Sequence, residues 1–150
     1  MTLIKPQDNS FNSDPQRRVT LIETQEKWRS SPSIGVKRLY LDRADFSEYT
    51  SATSIVKFNK DSLFTGHAHQ NGEEFLVLEG IFSDEYGDYP KGTYVRNPHG
   101  SCHSPYSKEG CKIFVKLRQF QKDDNLRIVK SVNEPWKAYT KELSFLKLHE

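Results

Sequence analysis

The residues most able to do chemistry lie in two short segments. The first, GHAHQNGEEFLVLEG, contains His67, His69 and Glu73, and the second, GTYVRNPHGSCH, ends at His103. Residues two apart on a strand point to the same side, so His67 and His69 share one face. Glu73 lies beyond the turn at residues 70–72 and re-enters from the next strand, while His103 arrives from far along the chain.

Three imidazoles and one carboxylate form a transition-metal donor set. Such a set suits zinc or iron, and also manganese, nickel or copper. A lone H-x-H on a surface strand usually does nothing, but three histidines and a carboxylate converging through Gly-containing turns are harder to dismiss. The sequence predicts one divalent metal ion on His67, His69, Glu73 and His103. Glu74 faces away from Glu73 and is expected to be a solvated strand residue.

Short strands separated by turn residues must position these side chains. Turn signals such as Asn71-Gly72 and Asn97-Pro98-His99-Gly100 punctuate the sequence. Many short strands at this spacing predict an all-β sandwich or jelly-roll barrel. The expected strands cover residues 36–41, 54–58, 63–66, 74–82, 93–96, 101–104 and 111–120, and residues 143–148 are expected to form a strand or a short helix.

The composition is that of one ordinary domain. The chain has 150 residues, of which 35% are hydrophobic and 12% aromatic. The net charge of +2 is made of interspersed charges, which argues against direct nucleic-acid binding. We find no apolar stretch of membrane-spanning length and no signal peptide. With two cysteines in addition, the expected location is the cytoplasm.

The two segments resemble the cupin motifs. Residues from His67 to Gly80 fit H-x-H-x3-E-x6-G, and residues from Gly92 to His103 fit G-x5-P-x-G-x2-H. Within the cupins, the string GEEFLVLEGIFSDEYGDYPKGTYVRNPHGSCHSPYSKEGCKIFVKLRQF resembles the ChrR-like subfamily. That subfamily includes the cupin domain of ChrR-type anti-sigma factors and relatives of acetylacetone dioxygenase.

The resemblance implies a single-domain cupin jelly-roll barrel with the metal and a small-molecule ligand in its mouth. It also implies a homodimer. We expect an N-terminal arm over residues 1–27, the ChrR-like cupin domain over 28–125 and a C-terminal extension over 126–150.

Two departures from the family pattern stand out. Ser107 occupies a position that is often Asn in the second motif, but that position is not a ligand in the family. Residues 1–27 contain no His and no Cys, whereas the sigma-binding domain of ChrR-type proteins carries a zinc motif of these residues. We therefore expect no sigma-factor-binding domain in this chain.

Two functions remain open on this basis. One is an Fe(II)-dependent dioxygenase that cleaves a small diketone or hydroxyketone, which we favour slightly. The other is a zinc-binding sensor or regulatory module, related to anti-sigma factors and without catalysis.

Three further residues near the motifs have two interpretations each. Arg96 either orients an anionic substrate or forms a salt bridge with Asp84 or Glu85. Cys102 and Cys111 are expected to be free thiols, with a disulfide as the alternative.

Overall fold

A computed structural model describes residues 10–14, 16–44, 50–121 and 123–148. Within these residues the structure consists of strands and the loops between them, with a single 3₁₀ helix at Glu23–Gln25, so the all-β prediction is confirmed. The described residues include no helix that is long and apolar enough to cross a membrane. The strands are β1 (Arg29–Ser30), β2 (Val36–Arg43), β3 (Ala52–Phe58), β4 (Ser62–Leu63), β5 (His67–Ala68), β6 (Glu73–Asp84), β7 (Gly87–Pro90), β8 (Thr93–Asn97), β9 (Cys102–His103), β10 (Tyr106–Ser107), β11 (Cys111–Leu117), β12 (Ile128–Ser131), β13 (Lys137–Ala138) and β14 (Ser144–Phe145).

The long strand β6 joins two groups of antiparallel strands. Its first half lies between β11 and β8, in a group that continues through β3, β2 and β1 on one side and β12 on the other. Its second half lies between β7 and β10, and β10 also pairs with β4. Gly80 marks the change of direction with a φ of +71°. Because strand β6 serves both groups, it links the core to the edge where β5 and β9 pair.

The hydrophobic core lies between the two groups of strands. Alternate residues of β3, β6 and β11 point inward, as the period of two predicts. Phe75 and Phe82 are 1% and 2% exposed, with ring centroids 4.5 Å apart, and Phe58 meets Phe82 edge to face at 5.6 Å. Burying each of these rings contributes about 2–3 kcal/mol from the hydrophobic effect.

The sequence pattern missed several of the described strands, of which β7 and β12 are the longest. Residues 86–92 look like turns because they contain Gly, Asp and Pro, yet Gly87–Pro90 forms strand β7 of a hairpin with β6. Pro90 is the last residue of that strand, a position where proline is tolerated. Strand β12 lies within residues 126–150 and pairs with β8, so that all five residues of β8 are buried. Residues 143–148 contain the two-residue strand β14, which pairs with β13.

Replacing Gly80 with alanine is expected to destabilise the fold strongly. A Cβ at this position would lie 2.1 Å from the carbonyl oxygen of Gly110, and the positive φ adds strain. Gly100 is the matched control, because its φ is +79° but no atom of the described residues lies within 4 Å of its added Cβ. We expect Gly100→Ala to cost about 1–2 kcal/mol and Gly80→Ala about 3 kcal/mol or more. Urea unfolding measures both values, and equal losses would contradict this account of the bend.

Candidate metal centre

Three short pieces of backbone bring the four predicted ligands together. His67 on β5 lies opposite His103 on β9 in the antiparallel register. His69 follows β5, and its backbone N–H donates to the carbonyl of Ser101 at 2.9 Å. Glu73 is the first residue of β6. The structure therefore brings all four side chains together, with ligand atoms within 4.8 Å of one another.

A tight turn places Glu73 beside the histidines. Asn71 and Gly72 have φ values of +53° and +75°, the left-handed pair that Asn-Gly sequences favour. The turn is held because the N–H of Phe120 donates to the carbonyl of Asn71 and that of Arg118 to the carbonyl of Gly72. The chain reverses between His69 and Glu73, as the sequence pattern predicts.

The spacing of the donor atoms fits one metal ion. His67 Nε2 and His69 Nε2 are 3.2 Å apart. Glu73 Oε2 lies 3.3 Å from His69 Nε2 and 3.5 Å from His103 Nε2. Two donors bound to the same ion at about 2.1 Å, with bond angles between square and tetrahedral, are about 3.0–3.4 Å apart. The separations of 3.2 and 3.3 Å fall within that range, and the separation of 3.5 Å lies just above it.

Hydrogen bonds behind the rings fix the tautomers of His67 and His69. His67 Nδ1 lies 3.1 Å from the carbonyl oxygen of Thr65, which only accepts, so Nδ1 carries the proton. His69 Nδ1 lies 3.0 Å from Ser101 Oγ. Because the Ser101 hydroxyl donates its own hydrogen to the carbonyl of Pro98 at 2.7 Å, it accepts from His69. Both rings therefore turn an unprotonated Nε2 toward the centre.

Asp84 performs the same task for His103. Its Oδ2 accepts from His103 Nδ1 at 3.1 Å, while its Oδ1 accepts from the Tyr86 N–H and the Tyr89 hydroxyl. His103 Nε2 is fully buried and has no hydrogen-bond partner among the residues that the structure describes. An orphaned buried nitrogen aimed at two other imidazole nitrogens and a carboxylate is costly unless a cation is shared among them. A metal ion fits this donor set.

The electrostatics of the cluster agree with that assignment. Burial lowers the pKa of His67 and His69, which keeps both rings neutral. Burial alone would raise the pKa of Glu73, but the nearby histidines and the Asn97 hydrogen bond outweigh it and lower the pKa. Burial also opposes charge on His103, yet Asp84 and Glu73 outweigh it and raise the pKa of that ring. A metal ion that binds His103 therefore competes with a proton.

A pocket of about 500 Å³ opens beside the cluster. His67, His69 and Glu73 form part of its lining, together with Phe64 and Leu117. The rings of Phe64 and His67 are 5.0 Å apart, so an apolar wall lies next to the half-exposed ligand. His69, Glu73 and His103 are 4%, 7% and 3% exposed. The centre is thus reached from one side, past His67.

Two expectations about charged residues were wrong. Arg96 lies away from the pocket and pairs with Glu74 and Asp124, not with Asp84 or Glu85. The reason is alternation: Arg96 lies opposite Glu74 in the β6–β8 register, on the face turned away from Glu73. Glu74 is correspondingly half-buried among Arg96, Lys116 and the Tyr94 hydroxyl, instead of solvated.

Both cysteines are free thiols, as expected. Cys102 is exposed, whereas Cys111 is buried in the core, where burial raises the pKa of its thiol to about 11. His99 lies on the surface and accepts a hydrogen bond from the Asn71 N–H at its Nδ1, 2.9 Å away. None of these three residues is part of the cluster.

Sequence reasoning missed the residues that orient the ligands. Ser101 had a detectable signal, because it precedes His103 by two residues and so shares its side of the strand. Asn97, whose Nδ2 donates to Glu73 Oε2 at 3.2 Å, is also the β8 partner of Glu73 in the register. Asp84 had no local signal, since the pairing of its strand with distant segments is what places it behind His103.

The sequence profile of the ChrR cupin-like domain matches residues 16–121. The chain belongs to the ChrR cupin-like family. The prediction of a cupin jelly-roll fold is also confirmed, since solved cupin structures share the fold of this chain. No curated protein sequence matches this family member significantly.

Three solved structures illustrate the similarity of this ChrR cupin-like chain to known folds. SigE in complex with the anti-sigma ChrR from Rhodobacter sphaeroides matches at 21% identity and TM-score 0.53, over 62% of this chain and 50% of that one. An acetylacetone dioxygenase from Acinetobacter johnsonii matches at 16% identity and TM-score 0.56, over 90% of this chain and 88% of that one. An RmlC-like cupin from Shewanella frigidimarina matches at 17% identity and TM-score 0.55, over 67% of this chain and 90% of that one. This chain thus spans half of the first structure, and identities this low show the fold alone.

Replacing Asp84 with asparagine is expected to weaken metal binding. Donors from Tyr86 and Tyr89 would hold the amide oxygen of Asn, which turns its NH₂ toward His103 Nδ1. That contact forces the proton onto Nε2, the nitrogen that should bind the metal. We expect a 10- to 100-fold loss of zinc affinity, the usual effect of removing such a support, measured by competition with a chromophoric chelator.

Glu85→Gln is the matched control for this variant. It removes the same charge from the neighbouring residue, whose carboxylate accepts from the Ser104 N–H instead of from the ring. Equal losses of affinity in Asp84→Asn and Glu85→Gln would show that Asp84 acts through charge alone, against the tautomer argument.

Proposed function

We propose that the protein is a metal-dependent dioxygenase acting on a small oxygenated compound, such as a diketone or a hydroxyketone. The observation that supports this most is the pocket of about 500 Å³ that meets His67, His69 and Glu73. Pockets of this size are typical of small-molecule sites. A metal held purely for structure needs no such approach from solvent.

The pocket suits a substrate with an apolar part and adjacent oxygen atoms. Phe64 and Leu117 supply apolar wall, and Phe64 contacts the His67 ring. His67, the least buried of the four donors, lies where a substrate would enter. The buried carboxylate of Glu73 carries a negative charge that partly neutralises the cation and keeps it in place.

The overall reaction balances without an external reductant. One carbon–carbon bond of a β-diketone breaks, both atoms of O₂ enter the products, and a carboxylic acid and a dicarbonyl compound result. A bound divalent ion would act as a Lewis acid that favours the enolate form of the substrate. The protein's own residues position the donors, exclude water from His69, Glu73 and His103, and shape the entrance beside Phe64.

A regulatory zinc site is the second candidate. It is favoured by Glu73, because a carboxylate that stays bound occupies a coordination position and completes a four-ligand set typical of closed zinc sites. The similarity to the structure of SigE with the anti-sigma ChrR is in keeping with this alternative. The two functions differ in whether iron in the site supports oxygen chemistry.

An oxygen-electrode experiment tests the proposal. We expect the Fe(II)-loaded protein to consume O₂ in the presence of at least one member of a panel of β-diketones and α-hydroxyketones, with one O₂ used per substrate. His103→Ala should abolish the uptake, because it removes a buried donor together with the Asp84 hydrogen bond. The rate loss should be at least about 100-fold.

The matched control is His99→Asn, which changes a surface histidine outside the cluster and keeps an acceptor for the Asn71 N–H. This variant should retain the activity of the unaltered protein. Stoichiometric iron without uptake above the zinc-loaded protein, across the whole panel, would contradict the dioxygenase proposal and favour the regulatory one.

A further inference from the structure

The pocket beside the cluster is strongly basic. Among the described residues of its lining, the charged side chains are four arginines and a single acid, Glu73, which belongs to the cluster. The arginines are Arg29, Arg38, Arg43 and Arg118. A neutral diketone needs no such wall, whereas an anionic ligand is attracted by it.

Local backbone irregularities direct two of these arginines into the pocket. Strand β2 has a bulge after Tyr40, since Tyr40 pairs with Ser54 whereas the next paired residue, Asp42, lies opposite Thr53. The extra residue places Arg43 opposite Ala52, another residue of the pocket lining. The hydroxyl of Tyr40 accepts from Arg43 Nη1 at 2.6 Å.

Arg118 reaches the pocket through an unusual backbone conformation. It follows the end of β11 and has a φ of +59°, which is unusual for a residue other than glycine. Neighbouring residues of a regular strand point to opposite faces, so Arg118 would be expected on the face opposite Leu117. The left-handed conformation breaks this alternation, and both residues line the pocket. Its Nη1 donates to the carbonyl of Thr50 at 3.3 Å. Residues held in such conformations are often retained at ligand sites.

Arg38 is the arginine on which the inference depends. It lies on the same face of β2 as Val36, whose partner Phe58 belongs to the core, so a charge occupies an inward-facing position. Among the described residues, Arg38 Nη1 forms a long hydrogen bond to Ser54 Oγ, 3.5 Å, and no carboxylate lies within ion-pair distance of this guanidinium. A guanidinium in this position is costly to bury unless an anion joins it.

The electrostatics of Arg38 point the same way. Burial lowers the pKa of this guanidinium, and the charges of Arg43 and Arg118 lower it further, while Tyr40 and Glu73 oppose the change. Glu73 is committed to the cluster, 3.3 Å from His69 Nε2. An added carboxylate would relieve the repulsion among these cations.

We propose that the pocket binds the carboxylate of a small oxo acid through Arg38, while the oxo groups of the same molecule reach the cluster of His67, His69, Glu73 and His103. This deepens the proposed function, on which it rests, by making the substrate an acid instead of a neutral ketone. The planar fork of a guanidinium matches a carboxylate with two parallel hydrogen bonds. A volume of about 500 Å³ limits the ligand to a small molecule.

The test compares two probes on the zinc-loaded protein, in which no turnover occurs. Acetylacetone and 2,4-dioxopentanoate both offer a β-diketone, but the second carries a carboxylate in place of a terminal methyl group. Calorimetric titration should show the acid binding roughly 10- to 100-fold more tightly, as expected for a charge-assisted pair. Arg38→Gln should bring that ratio close to one and leave acetylacetone affinity within about threefold.

Two further variants keep the test decisive. Lys37→Gln removes the same charge from the adjacent, exposed residue on the opposite face of β2, and it should keep the preference for the acid. Arg38→Lys keeps the charge but loses the fork, and it should give an intermediate ratio. If Arg38→Gln does not fold, a ratio in Arg38→Lys equal to that of the unaltered protein would overturn the proposal.

The outcomes separate this inference from the dioxygenase proposal. Equal binding of the two probes, or a preference for the acid that survives in Arg38→Gln, would overturn the carboxylate site even if O₂ uptake with neutral diketones is observed. An Arg38-dependent preference without O₂ uptake would support the carboxylate site and contradict the oxygenase.

Discussion

The structure of the site depends on three imidazole nitrogens that face one another with unshared electron pairs. His67 Nε2 and His69 Nε2 are 3.2 Å apart, and the buried Nε2 of His103 has no hydrogen-bond partner within the described part of the chain. Each ring is held in this orientation by an acceptor behind it: the Thr65 carbonyl, the Ser101 hydroxyl or the Asp84 carboxylate. Such an arrangement is unfavourable until a cation occupies the centre, which is the physical reason to assign a metal ion.

One strand of the β-sheet framework supplies two carboxylates to the site, one from each of its ends. Strand β6 begins with Glu73 inside the cluster and ends with Asp84 behind His103. The bend at Gly80 lets the same strand serve two groups of neighbours, so that its ends approach the β5–β9 pair from different sides. A fold that relied on local contacts alone would not place two carboxylates of one strand on both sides of an imidazole.

The convergence of His67, His69, Glu73 and His103 was predictable from the sequence because their spacing follows strand alternation and an Asn-Gly turn. The residues behind them were less so, because Asp84 and Asn97 reach the site through strand pairing over 19 and 24 residues. Simple alternation also failed at the pocket. Arg43 and Arg118 line it through a bulge and a left-handed residue, whereas Arg96, the sequence-based candidate for anion binding, lies on the other face.

The proposed function of this chain depends on how the pocket and the cluster are combined. A buried set of four possible donors suits a regulatory zinc site as well as an oxygenase, whereas the basic pocket beside His67 suits a small anionic ligand. Arg38, at an inward position of β2, costs stability unless a ligand anion compensates its charge. We propose that the metal cluster and this neighbouring anion subsite act on one molecule.

The most direct test of the metal centre is a long-range ¹H–¹⁵N correlation spectrum of the histidine rings in the zinc-loaded, ¹⁵N-labelled protein. The account predicts that His67, His69 and His103 carry a proton on Nδ1 and show a metal-shifted, unprotonated Nε2. His99 provides the internal contrast, because its Nδ1 accepts from Asn71 and its proton is therefore on Nε2. A proton on Nε2 of any of the three cluster histidines would contradict the assignment.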